Sequence, residues 1–218
     1  MSGLIGLFLK GLMETLYMVL VSTAVSYIIG LPIGVILNIT DKDGICKNVP
    51  VNRVLGFVVN FLRSVPFIIL LVTVLPLTRL IVGTTIGSTA TIVPLVISAA
   101  PFVSRMVESS LQEVDAGVIE AAESMGSSPF QIITKVLIPE AKPSLITGAA
   151  IAITTILGYT AMAGFVGGGG LGSIAVNYGY YRYDDVTMYI TVIILVIVVQ
   201  IFQEIGIRAV KMTDKRLK

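Results

Sequence analysis

Histidine is absent from the 218 residues, and cysteine occurs once, at Cys46. The first absence excludes imidazole general bases, histidine metal sites and Ser-His-Asp triads. A lone thiol closes no internal disulfide and builds no thiolate metal cluster. Charge is scarce too: Asp, Glu, Lys and Arg make up 13% of the chain, against about 25% in an average soluble domain. No G-x-x-x-x-G-K-S/T segment occurs, so the chain has no loop of its own to cradle ATP phosphates. No basic stripe with interleaved aromatics is present, which argues against nucleic acid as a partner.

What the chain has instead is apolar length. Hydrophobic residues make up 55% of it, and runs without any charge cover Thr15–Thr40, Ser64–Thr78, Leu80–Ser104, Pro143–Tyr181 and Val186–Gln203. A hydrocarbon core about 30 Å thick needs about 20 apolar residues in a helix. The runs therefore predict an all-α integral membrane protein, a single domain over residues 1–218 with five transmembrane helices. The expected spans follow Glu14 to about Ile39, then lie within Val54–Leu75, Ile86–Val103, Leu145–Val166 and Val186–Ile207. The first outlasts a secretory signal core and lacks a small-residue cleavage site, so it reads as a retained helix. Gly30 and Pro32 are expected to kink it. Arg63 interrupts the second span, either snorkelling to an interface or marking a water-filled cavity.

Lysine and arginine set the orientation. Eleven of them (Lys42, Lys47, Arg53, Arg105, Lys135, Lys142, Arg208, Lys211, Lys215, Arg216, Lys218) fall on one side, and three (Lys10, Arg79, Arg182) on the other. The richer side is cytoplasmic, which puts the N-terminus outside and the C-terminus in the cytoplasm. The longest charged stretch runs roughly from Arg105 to Lys142, too short for a soluble catalytic domain, so no enzyme is expected here.

That cytoplasmic loop, about residues 108–142, carries the most information. Val118–Met125 is rich in helix formers, and Gly126 suits the left-handed residue past a helix end. Ser128-Pro129-Phe130-Gln131 opens a second helix, with Ser as N-cap, Pro at the first position and Gln three after the cap. Pro139 is expected to stop it. Two short helices on a fixed turn, with apolar residues exposed, suit docking into a protein groove. An amphipathic hairpin on lipid would need a basic polar face, and the first helix carries Glu120 and Glu123 with no base.

Glu120-Ala121-Ala122, then Gly126, then Val136 and Ile138 before Pro139, resembles the EAA motif of ABC importer permeases. That family usually has Ile and Leu where this chain has Val136 and Ile138. The resemblance implies that Glu120, Ala121, Ala122, Ser124, Met125, Gly126, Pro129, Phe130 and Pro139 form a coupling helix and its elbow, seated in a groove of an ATP-binding subunit. Arg63-Ser-Val-Pro-Phe-Ile-Ile-Leu-Leu, Ala99-Ala-Pro-Phe-Val-Ser-Arg-Met-Val-Glu108 and Tyr159-Thr-Ala-Met-Ala-Gly-Phe-Val-Gly-Gly-Gly-Gly-Leu-Gly172 are similar to permeases of methionine importers. The implied partners are a second copy of the chain, two ATP-binding cassette subunits holding ATP-Mg, a periplasmic or lipid-anchored substrate-binding protein, and the lipid of a bacterial plasma membrane. No cofactor is expected on the chain itself. The implied substrate is methionine, both enantiomers included, with another amino acid or small solute as the alternative.

Other patterns admit two readings. Gly167–Gly172 fits G-x-G-x-x-G, but it follows a membrane span rather than a strand, so it reads as a flexible or tightly turned outer loop. Small residues of span four (Gly148, Ala149, Ala152, Gly158, Ala161) suit close helix packing. Thr154, Thr155, Tyr159 and Thr160 either bond across helices or line a pathway. Thr154, Tyr159, Thr160 and Met162, with Asn60 and Ser64, are the translocation-pathway candidates. The tyrosines of Tyr178–Asp185 fit either an interfacial belt or a binding-protein contact. A secondary transporter or channel is the competing class; mid-span carboxylates and an internal repeat would mark it, and neither occurs.

Overall fold

The computed structural model describes residues 2–213, and these form helices and turns only. Lys215, Arg216 and Lys218, counted above in the tail, lie outside the described residues. The order is α1 (Ser2–Thr40), α2 (Val49–Ser64), α3 (Phe67–Thr73), α4 (Leu75–Val82), α5 (Ser88–Gln112), α6 (Ala116–Ser124), α7 (Pro129–Ile132), α8 (Lys142–Ala163), α9 (Gly170–Ile174) and α10 (Asp185–Thr213). Among the described residues four apolar segments are long enough to cross a membrane, and the bent pair α2–α3, counted as one span, makes five.

α1 and α5 form the axis of the fold. Gly30 and Gly34 do not break α1, which runs continuously through Pro32. They let it approach α5: a Cβ on Gly30 would stand 2.9 Å from the Ala100 carbonyl oxygen, and one on Gly34 2.5 Å from that of Ser104. Ser22 and Ser26, both fully buried, continue the row at the same four-residue interval. Side chains this small let backbones meet without a hydrophobic driving force, which lipid cannot supply. Gly30, expected as part of a kink, thus also belongs to a packing seam.

The second span departs from expectation more sharply. α2 and α3 meet at about 100° across Val65 and Pro66. Pro66 has no N–H to continue the α2 ladder and forces the residue before it out of helical geometry; Val65 is extended, at φ −80° and ψ 123°. Arg63 falls in the last turn of α2, with its side chain exposed.

α5 also outruns its expected end at Val103, reaching Gln112 through Pro94 and Pro101. Arg105 and Glu108 therefore lie on this helix rather than in the loop. Two apolar clusters hold the bundle together. Met18, Leu95, Ala99, Ile156 and Leu157 belong to one. Val35, Val107, Leu111, Ala122, Ile132, Leu137 and Ala152 belong to the other, which joins α1 and α5 to α6, α7 and α8.

Candidate functional site

The loop after α5 folds into the elbow that its sequence predicts. Asp115 opens α6 by accepting a hydrogen bond from the Gly117 amide at 2.7 Å. At the far end Gly126 takes φ +76°. Its N–H donates to the Glu123 carbonyl at 2.8 Å, and that of Ser127 to the Ala122 carbonyl at 3.1 Å, the paired bonds of a Schellman cap. Ser128 and Gln131 then bond reciprocally, with the Ser128 amide donating to Gln131 Oε1 at 2.8 Å. Two orphan amides are satisfied at once, which fixes the direction of α7.

Pro139 does not stop this second helix. The chain stays helical from Pro129 to Glu140 through a widened π turn at Ile133–Leu137, and it breaks only at Ala141 (ψ −4°). Pro139 is the second residue of the last segment, Ile138–Glu140, where its missing N–H is tolerated.

The elbow presents Met125 and Phe130 to the outside, 78% and 74% exposed. Glu120, Ala121, Ser124, Pro129 and Pro139 are exposed as well. Ala122 is not. It is 3% exposed and packs in the cluster of Val107, Leu111, Ile132 and Leu137. Its small size lets α6 lie close on the chain's own core, which corrects the expectation that it faces an outside groove. Beside the elbow lies a cleft of about 560 Å³ lined by Asp41, Asp43, Glu120 and Glu123.

The pathway candidates are dispersed. Thr160 is buried and donates to the Leu157 carbonyl at 2.7 Å. Thr154 donates to the Ile151 carbonyl at 2.9 Å and borders a cleft between α8 and α10 that also contains Thr147, Gln203 and Lys211. The Tyr159 ring stacks on Phe67 of α3 with centroids 4.4 Å apart. Met162 is exposed. Asn60 and Ser64 share α2, where Ser64 donates to the Asn60 carbonyl at 2.8 Å. The Asn60 side chain is engaged elsewhere: its Oδ1 accepts from Arg105 Nε at 3.1 Å.

The glycine run is a tight turn pinned from two sides. Gly167, Gly169 and Gly170 all have positive φ. The Gly170 amide donates to Glu14 Oε2 at 2.8 Å, and that of Leu171 to Thr15 Oγ1 at 2.9 Å. The Thr91 hydroxyl donates to the Gly168 carbonyl at 3.2 Å. A carboxylate on the first amide of α9 is the arrangement helix termini favour. Beyond it, the Arg182 guanidinium lies 4.5 Å from the Tyr178 ring centroid. Asp184 accepts from the hydroxyl and amide of Thr187, bonds that hold its carboxyl below the usual carboxylate range.

Residues 30–217 match the family described as binding-protein-dependent transport system inner membrane components. The chain belongs to that family. Among its relatives, the probable D-methionine transport system permease protein MetI of Vibrio cholerae is 53% identical over 210 residues, 96% of this chain and 93% of that protein. The D-methionine transport system permease protein MetI of Escherichia coli K12 is 50% identical over 158 residues, 72% and 73% of the two chains. A chain from a structure titled as inward-facing conformations of the MetNI methionine ABC transporter superposes with TM-score 0.97 at 46% identity. It covers 99% of this chain and is itself covered completely. A chain of an amino acid ABC transporter, 20% identical with TM-score 0.73, shares the fold. The protein is thus a multi-pass inner-membrane transport component.

Two sets of residues within this family member escaped the sequence reading. Glu14 served there as the edge of a span, whereas it reaches across to the glycine turn. Arg105 and Glu108, read as loop, form an ion pair on α5 with a separation of 2.6 Å. Their three-residue spacing is the one signal that would have placed both on one helix face.

Proposed function

We propose that this chain is the permease subunit of an ABC importer that takes up methionine, both L and D. Two copies would pair, with the route between them. Each would dock its α6–α7 elbow on an ATP-binding subunit that hydrolyses ATP-Mg, and a substrate-binding protein would deliver methionine from outside. The chain itself catalyses nothing. Identity of 53% with a MetI relative across nearly its full length carries the substrate reading. The elbow supports the coupling reading. Met125 and Phe130 offer apolar area to a partner, on a turn whose backbone bonds are already satisfied. Glu120, Glu123, Asp41 and Asp43 beside it favour a basic patch on that partner.

Uptake of labelled methionine decides the substrate. A strain lacking this permease should lose high-affinity entry of L- and D-methionine and regain it with the gene restored. Unchanged methionine entry alongside loss of another solute would overturn the assignment.

The orientation has its own test. Cys46 is exposed in the loop between α1 and α2, and the loop charges put it in the cytoplasm. A membrane-impermeant thiol reagent should miss it in intact cells and label it in inverted vesicles. In a Cys-free background, Tyr181→Cys should show the reverse. The opposite pattern would invert the topology and take the elbow away from any cytoplasmic ATPase.

A further inference from the structure

Arg105 is built into three contacts at once. From α5 its Nη1 donates to Glu108 Oε2 at 2.6 Å, its Nε to Asn60 Oδ1 at 3.1 Å, and its Nη2 to the Gly56 carbonyl at 3.2 Å. The last two partners belong to α2, one turn apart. Gly56 makes room for the guanidinium, since a Cβ there would stand 3.2 Å from Nη2. Side-chain exposure is 24% for Arg105 and 10% for Glu108, so the pair is largely withdrawn from solvent. At that depth, losing one partner leaves an unpaired charge.

The position of this cluster matters as much as its chemistry. Val107 and Leu111, on the same stretch of α5, pack against Ala122, Ile132 and Leu137 of the elbow segment. Asn60 lies one turn before the 100° break between α2 and α3, and just past the break Phe67 stacks on Tyr159 of α8. The cytoplasmic half of α5 is therefore joined to the elbow on one side and to the broken span on the other. The second joint consists of directional hydrogen bonds from a planar fork, which fix angle as well as distance.

We propose that Arg105, oriented by Glu108 and gripping Asn60 and Gly56, is a positioning residue that carries displacement of the elbow to the broken span. The proposal rests on the coupling role given above to the elbow. Bonded in this way, α2 follows α5. With the grip removed, α5 still moves with the elbow while α2 lags, and hydrolysis proceeds without matched transport.

The test uses the assembled transporter, with ATP-binding subunit and binding protein, in lipid vesicles. Co-purification of the ATPase, thermal stability and labelled methionine transported per ATP hydrolysed are measured together. Asn60→Leu removes the acceptor. Arg105→Lys keeps the charge for Glu108 but not the fork. Both should assemble and hydrolyse ATP while transport per ATP drops by roughly 5-fold or more, the lower end of typical inter-site coupling. Asn60→Asp keeps an acceptor oxygen toward Nε and should restore the ratio. A wild-type ratio in Arg105→Lys overturns the proposal whether or not Asn60→Leu assembles. So does a loss in Asn60→Asp equal to that in Asn60→Leu. Lack of ATP-driven methionine uptake by the wild-type assembly would instead fail the methionine reading. The clamp would then be judged on the ATPase stimulation that binding protein elicits in the same variants: a wild-type response overturns it, and a lost response that Asn60→Asp restores supports it.

Discussion

Gly126→Val is expected to leave the permease inserted in the membrane while uncoupling ATP hydrolysis from transport by about tenfold. The reason is conformational rather than steric. Nothing lies within 4 Å of a Cβ built at this position, but φ is +76°, a region that costs a non-glycine residue about 1–2 kcal/mol and a β-branched one more. Relief comes from rotating the backbone out of that region. Rotation breaks the bonds from Gly126 and Ser127 to α6 and re-aims the capping box behind them. Met125 and Phe130 then no longer share a fixed geometry, and the partner must order them on binding. Gly126→Asn is the discriminating control, because asparagine tolerates the left-handed region and is an accepted helix terminator. The measurements are ATPase co-purification and methionine transported per ATP. Equal behaviour of the valine and asparagine variants would mean that the left-handed turn is not what coupling needs.

Gly34→Leu is expected to remove the permease from the membrane fraction, or to lower its melting temperature in detergent by many degrees. Here the objection is steric. A Cβ at residue 34 would lie 2.5 Å from the Ser104 carbonyl oxygen and 2.7 Å from Val107 Cβ. The carbonyl is backbone and cannot swing aside, so α1 has to lift from α5. Overpacking of this kind costs about 1–3 kcal/mol even where side chains give way. The seam also adjoins Val35, Val103 and Val107 of the cluster beneath the elbow, so separation there is felt at the elbow. Gly158→Ala is the matched control, since nothing lies within 4 Å of a Cβ at that position. If Gly34→Leu melts with the wild type, the α1–α5 seam does not hold the fold together as described.

The elbow was readable because its chemistry is local. A left-handed glycine, a serine N-cap, a proline at the first helical position and a glutamine three after the cap act within six residues, and no distant partner is needed to interpret them. Ala122 marks the limit of that reading. A small residue on a helix looks the same whether it faces a neighbour's groove or its own core, and only the positions of Ile132 and Leu137 decide between them. The bend at Val65–Pro66 was half legible: the proline announced a break, while its angle depends on what α3 packs against. Glu14 and Arg105 misled for one reason. A charge at the margin of an apolar run is ordinarily where the run ends, yet both are held inside the bundle by partners 156 and 45 residues away in the chain.

The corner between α2 and α3 also has a consequence for solvent. Interrupting a helix strands carbonyl oxygens that would otherwise accept from the next turn, and acyl chains carry no donor to replace what is lost. α2 alone, at 16 residues, rises about 24 Å, so the corner sits within the thickness of a bilayer rather than beyond it. The exposed flank at Ser64 and Pro66 must then border water or another polypeptide, and a sheath of lipid cannot close around this protein on every side.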